Sequence, residues 1–300
     1  MAVGRARPAP WRRRSLLRAG GACCAFGPLA WLGTAEAAAS QDGQLEAELV
    51  RTGLYLIRGG TGNSLLRLSA NGMVLVDGTL PGSHRALMSQ VRRISRLSDM
   101  PIRVLVLTDP LEAHAGDCAQ FMAAGVTVVA QRDTVARLSL PGPDDAAVRA
   151  RVIAYDDQRT IRLGGVEVLL NHFGPARTSG DSVVHFPDLK VVALGDLFPA
   201  AAPEPDFSAG GSLVGWSAVL ARVLELDFDR VVPASGPVAS RADLVVFKER
   251  VDAVATRAGA LVRAGVGKDA LMGRLRSDDL GWQLAYSGPV LDGLFAELSR

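Results

Sequence analysis

Short apolar runs alternating with amphipathic stretches limit the fold of this chain more than any other feature. Leu54-Tyr55-Leu56-Ile57, Ser64-Leu65-Leu66-Arg67-Leu68 and Met73-Val74-Leu75-Val76 read as neighbouring strands. Asn71-Gly72, between the last two, is a hairpin signal because both residues tolerate a positive φ. Ser83 to Leu97 then changes period. Leu87, Val91, Ile94 and Leu97 recur every three or four residues on one helical face, and Arg85, Ser89, Arg92, Arg93 and Arg96 take the other. A buried-strand run, Val104-Leu105-Val106-Leu107, follows Pro101, with a helix expected through about Ala123 and a strand at Val126–Ala130.

The second half repeats the theme. Val166–Leu170, Ser182–Phe186, Lys190–Ala193 and Arg230–Pro233 read as strands, with a helix from Leu213 to Leu226 before the last. Ser240 has the character of an N-cap, with Asp243 three residues on as its reciprocal partner. The helix beyond it buries Leu244, Phe247, Val251, Val254, Ala258 and Leu261. Shorter helices are expected at Lys268–Leu275 and Val290–Leu298. Strands in both halves with interleaved helices imply a layered α/β architecture. The pattern leaves open a doubly wound sheet or two sheets packed face to face. With 300 residues, 48% of them hydrophobic, the chain has ample material for one sizeable core. Pro141-Gly142-Pro143, Pro203-Glu204-Pro205 and Gly210-Gly211 read as loops, either over a groove or on plain surface.

Residues 1–39 stand apart from this pattern. Arg12-Arg13-Arg14-Ser15-Leu16-Leu17-Arg18 is similar to a twin-arginine export motif, and Ala19 to Gly33 is uncharged and weakly apolar. Ala35-Glu36-Ala37 and Ala37-Ala38-Ala39 offer small-x-small cleavage sites. The expected organisation is a signal peptide at 1–39 and a single domain at 40–300, located in the periplasm with no membrane span after cleavage; a basic tail is the alternative. Without the six Arg and one Glu of 1–39, 27 basic and 30 acidic residues remain, a formal charge of −3. No nucleic-acid surface is implied. Cys118 is then the one cysteine left, so no intramolecular disulfide can form.

Six fragments, in order, carry a resemblance. They are Gly62-Asn63-Ser64-Leu65-Leu66; Val74-Leu75-Val76-Asp77; Asp109-Pro110-Leu111-Glu112-Ala113-His114 with Gly116; Gly174-Pro175-Ala176-Arg177-Thr178-Ser179-Gly180-Asp181; Gly195-Asp196; and Val232-Pro233-Ala234-Ser235-Gly236-Pro237. Together they resemble the metallo-β-lactamase superfamily over residues 45–270. That resemblance implies a four-layer αββα sandwich. It also implies a two-zinc site, built from H-x-H-x-D-H at 109–114, one His in the 174–181 turn, the 196 carboxylate bridging both ions, and a last His at 235. Such ions lower the pKa of bound water and polarise a carbonyl or phosphoryl group.

The chain departs from that pattern at most of its positions. Asp109, Leu111 and Arg177 stand at the three His positions of the first site, and Ala113 and Ser235 at the Asp and last-His positions of the second. His114 and Asp196 match. Leu and Ala cannot ligate a metal, and Arg repels a cation. The chain's four His (His84, His114, His172 and His185) are too few for a complete five-His set. Asp77, Thr178 and Asp181 are expected to orient loops around the site. His84 and His185 read as ordinary surface or strand residues, His172 lies close to the Arg177 turn, Cys118 as a small core residue, and Trp216 as packing or a pocket rim.

Arg177 is expected near Asp109 and Asp196, with its guanidinium taking over the neutralising role of zinc through bidentate contacts. No cofactor is then expected, or zinc only if a weak site of Asp109, His114 and Asp196 survives. The favoured reading is a binding or accessory protein for an unknown small molecule or periplasmic partner. The alternative is a hydrolase of ester, thioester, amide or lactam bonds, with His114, Arg177 and Asp196 as the candidate catalytic groups.

Overall fold

The computed structural model of the chain describes residues 45–59, 62–95, 100–138 and 150–300. The expected signal segment, the Pro141-Gly142-Pro143 loop and the end of the Ser83–Leu97 helix lie outside the described residues.

Thirteen described strands form two sheets. The first has seven, in the order β1 (Glu46–Arg51), β2 (Leu54–Gly59), β3 (Gly62–Ser69), β4 (Gly72–Val76), β5 (Ile102–Val106), β6 (Thr127–Gln131) and β7 (Val152–Tyr155). The first four pair antiparallel and β4 to β7 pair parallel. The parallel crossovers run through α1 (His84–Ile94) and through the short helices α2 (Glu112–Ala115) and α3 (Cys118–Ala123), and α4 (Arg132–Arg137) follows β6. The hairpin signal at Asn71-Gly72 is met, with Ser69 opposite Gly72. Of the two residues only Gly72 takes a positive φ.

The second sheet lies in the order β13 (Ala239–Ser240), β12 (Arg230–Pro233), β11 (Val191–Gly195), β10 (Val183–Phe186), β9 (Val166–Asn171) and β8 (Gln158–Leu163). Only β11 and β12 run parallel, joined through α5 (Leu213–Val223). Then come α6 (Arg241–Arg263), α7 (Lys268–Arg274) and α8 (Gly288–Leu298).

Alternate side chains explain the layers, because successive strand residues face opposite ways. Leu54, Leu56, Val74, Val76, Val106 and Val129 meet Val168, Leu170, Val184, Phe186 and Val232 between the sheets. Ile57, Met73, Leu75, Leu105 and Leu107 turn outward onto Leu87, Val91, Phe121 and Met122. On the far side, Val183, Val192 and Leu194 pack on Trp216, Leu220, Leu244, Phe247 and Val251. With both faces covered, the strands read as continuous apolar runs rather than alternating ones. This is the αββα sandwich, and it resolves the open alternative in favour of two sheets face to face. Trp216 is fully buried and donates its indole N–H to the Leu197 carbonyl at 2.9 Å, so it is a core residue and not a pocket rim.

Candidate functional site

The polar residues gather where β4, β5 and β11 end. Asp77 follows β4 with φ +60, a conformation that Asp tolerates better than most residues. Its carboxylate accepts the Thr108 N–H and the Thr108 hydroxyl, both at 2.8 Å, and the His114 Nδ1–H at 2.9 Å. Asp77 therefore fixes the strand end and the imidazole together. Asp109 turns back on itself, accepting the Leu111 N–H at 2.8 Å, and starts the bend that leads into α2. Gly195 ends β11 with φ +50, and a Cβ there would lie 2.3 Å from the Thr108 hydroxyl. Glycine thus lets the two sheets' strand ends close up and brings Asp196 over His114.

The Nδ1 side of His114 is held, and its Nε2 side faces two carboxylates. Nε2 lies 3.6 Å from Asp109 Oδ2 and 3.6 Å from Asp196 Oδ1. Arg177 Nε approaches the other Asp196 oxygen at 3.7 Å. His114 and Asp109 are 1% exposed, whereas Arg177 and Asp196 stay about one-fifth open to solvent. His114 Nε2 and Asp109 Oδ2 are buried with no hydrogen-bond partner. Three carboxyl groups, an imidazole and a guanidinium are thus gathered at one place.

The charges respond to one another. Burial pushes the Asp109 carboxyl up to about 7, against the pull of His114. Burial alone would lower His114, but Asp109 and Asp77, with Asp196, raise it well above its ordinary value. Asp196 is resisted by burial, yet His114 and then Arg177 bring it below the usual carboxylate range.

Asp181 supports the Arg177 turn, accepting the Thr178 N–H at 2.9 Å and its hydroxyl at 2.7 Å, and burial pushes Asp181 up to about 7. The structure therefore brings Asp77, Asp109, His114, Arg177 and Asp196 together, with Thr178 and Asp181 one layer behind. Arg177 meets Asp196 through a single long approach, which corrects the expectation of bidentate contacts. The turn that carries it is tethered by its carbonyl to the Asp206 N–H at 2.8 Å, so the guanidinium reaches only one edge of the carboxylate. Ser235 lines a groove of about 300 Å³ with Glu46, Arg58, Gly59, Gly62, Asn63 and Gly236. Leu111 and Ala113 are half-buried on the 109–114 bend. His172 bonds the Asp181 carbonyl, His185 the Asp227 carbonyl, and His84 stacks edge-on to Phe121. Thr108 was missed from the sequence. Its one signal is a hydroxyl residue at the end of a buried strand, immediately before Asp109.

No family model matches the chain. A curated relative, the 2,4-dinitroanisole O-demethylase subunit alpha of Nocardioides sp. (strain JS1661), is 26% identical over 231 residues, spanning 75% of this chain and 68% of that one. Among solved structures, a metallo-beta-lactamase from Pontibacter korlensis superposes with a TM-score of 0.57 at 20% identity, over 69% of this chain and 99% of that chain. The stereoselective inverting sec-alkylsulfatase Pisa1 from Pseudomonas sp. gives a TM-score of 0.63 at 15% identity, over 85% of this chain but 49% of its own. The chain has the metallo-β-lactamase fold.

The residues do not fit the two-zinc set that this fold implies. Leu111 and Ala113 offer no donor atom, and Arg177 puts a positive charge 3.7 Å from the carboxylate that would bridge the ions. A single divalent ion fits better in geometry alone. One ligand atom each from Asp109, His114 and Asp196 lies within 4.8 Å of the others, and His114 is oriented by Asp77 as metal-bound imidazoles usually are.

Proposed function

We propose that the mature chain is an exported, periplasmic metallo-β-lactamase-fold protein that has lost most of its zinc ligands and serves as a binding or accessory protein. The observation that carries this reading is Arg177 Nε at 3.7 Å from Asp196 Oδ2, beside Leu111 and Ala113, which have no donor atom where the resemblance implies ligands. A guanidinium and an imidazolium there balance carboxylates that would otherwise be costly to bury. Export rests on the Arg12–Arg18 motif and the cleavage sites that follow. Among the described residues no helix is long and apolar enough to cross a membrane. The recognised partner is a small molecule or a periplasmic protein.

A second reading is favoured by the unpartnered His114 Nε2 and Asp109 Oδ2. It is a hydrolase of ester, thioester, amide or lactam bonds that works with one ion held by Asp109, His114 and Asp196. That ion would supply a bound water of lowered pKa. Metal analysis of the purified mature protein, with zinc titration, separates the two. Substoichiometric metal and weak zinc binding are expected. Tight one-to-one zinc, together with turnover of any of a panel of generic esters, thioesters and β-lactams, would sink the binding-protein reading.

A further inference from the structure

Beyond its own Thr178–Asp181 bonds, the Arg177 turn is held from a neighbouring segment. The Arg177 carbonyl accepts the Asp206 N–H at 2.8 Å, the Ala176 carbonyl accepts the Ser212 N–H at 2.8 Å, and the Ser179 N–H donates to Ala209 at 2.9 Å. The turn is therefore laid along the 206–212 segment.

That segment is gripped on its other side by the C-terminal helix. Glu297 of α8 takes the Ser212 hydroxyl on one carboxylate oxygen and the Leu213 N–H, at 3.1 Å, on the other. It thus caps α5 through the same serine whose hydroxyl accepts the Gly215 N–H at 2.7 Å. One turn earlier on α8, Gly293 lies against Phe207, so closely that a Cβ would fall 2.2 Å from the ring's Cγ. Before the helix, the Tyr286 hydroxyl donates to the Pro203 carbonyl. Two of these contacts join α8 to the segment, at Phe207 near its start and at Ser212 at its end, and the third ties the chain just ahead of the helix to the chain just ahead of the segment.

We propose that Glu297 is a positioning residue for Arg177: through the 206–213 segment the C-terminal helix determines whether the guanidinium reaches Asp196. This rests on the reading that Arg177 supplies the cation for Asp196. Arg177 is partly open to solvent and meets Asp196 at 3.7 Å without a hydrogen bond, so its own pairing is too weak to fix the side chain. Its location must come from the backbone beneath it. Glu297 lies 120 positions away in sequence and is joined to the turn only through Ser212 and Leu213.

The test uses the full mature chain and two readouts. The first is the Arg177 Nε–Hε NMR signal, assigned by its loss in Arg177→Ala. Glu297→Ala should shift or broaden it, and Glu297→Gln, which keeps one acceptor oxygen, should restore part of it. Ser240→Ala weakens a different helix and should leave it in place. The second readout is zinc affinity by calorimetry. Arg177→Ala should raise it about tenfold and Glu297→Ala about fivefold, and the double variant should match Arg177→Ala alone. If Glu297→Ala does not fold, Gly293→Ala, which wedges Phe207 away, should move the same signal. An Arg177 signal unmoved by Glu297→Ala, or a Glu297 effect on zinc that persists undiminished without Arg177, overturns the proposal. A signal that moves while Arg177→Ala leaves zinc affinity unchanged supports the positioning and overturns the reading of Arg177 as the replacement cation.

Discussion

Asp77 does more for this site than its sequence context suggests. One carboxylate at the end of β4 accepts three hydrogen bonds, two from Thr108 and one from His114. Asp77→Asn keeps a residue that tolerates φ +60 but replaces one acceptor oxygen with a donor. It leaves either Thr108 or His114 facing the wrong partner in a buried place. Urea unfolding should show a loss of about 2–4 kcal/mol with an unchanged slope against denaturant. A loss below about 1 kcal/mol would show that His114 is held by the surrounding bend instead. The residue types of this site were legible in the chain. Asp77, Asp109, His114, Arg177 and Asp196 were all nominated from motif positions, and all five meet. How Arg177 engages was not legible, because its reach depends on a turn tethered to Asp206 and Ser212, far on in the chain.

At the scale of elements, strong local signals were enough. Ser240 and Asp243 form the reciprocal cap expected of them, with the Ser240 N–H donating to Asp243 at 2.8 Å and the Asp243 N–H to the Ser240 hydroxyl at 3.2 Å. Ser240→Ala should cost about 1 kcal/mol in denaturant unfolding, and Ser240→Asn much less. Equal losses in both variants would mean that the cap contributes through packing alone. Strands β1, β7, β8 and the two-residue β13 are not among those the sequence pattern marks. Gln158–Leu163 buries only Ile161, and Glu46–Arg51 is an exposed edge, so neither has the apolar run that marked the central strands. What makes them strands is a neighbouring edge to pair with, which is supplied by β9 for β8 and by β2 for β1.

Across the whole molecule, the buried charges should give stability a definite pH dependence. Asp109 and Asp181 have folded values pushed up to about 7, above the ordinary 3.8. Between those values the unfolded chain has released protons that the folded chain keeps. Their contribution is therefore complete below about pH 4 and lost as the pH rises to about 7. His114 adds in the same direction, with stability present below about 6.5 and lost as the pH passes its raised folded value. Asp196, brought down by His114 and Arg177, acts oppositely, contributing above 3.8 and losing its effect only in stronger acid. The protein should thus be more stable near pH 5 than near pH 8. In Asp109→Asn that difference should shrink by about 1–2 kcal/mol. Chemical unfolding at the two pH values checks it, and a variant with the wild-type difference would remove Asp109 as a source.

The sequence by itself determined the central strands, the capped helix and the identity of the residues at the strand ends. Each depends on local period or on a motif a few residues long. The tertiary structure alone decided what those residues do to one another. His114 is drawn toward its protonated form because three carboxyl groups from three different strand ends converge on it. Arg177 became a neighbour of Asp196 through a turn laid on the 206–212 segment and braced by the last helix. Electrostatic energy falls off over a few ångströms, so it is set by distances between residues far apart in the chain, and only the folded chain fixes those distances.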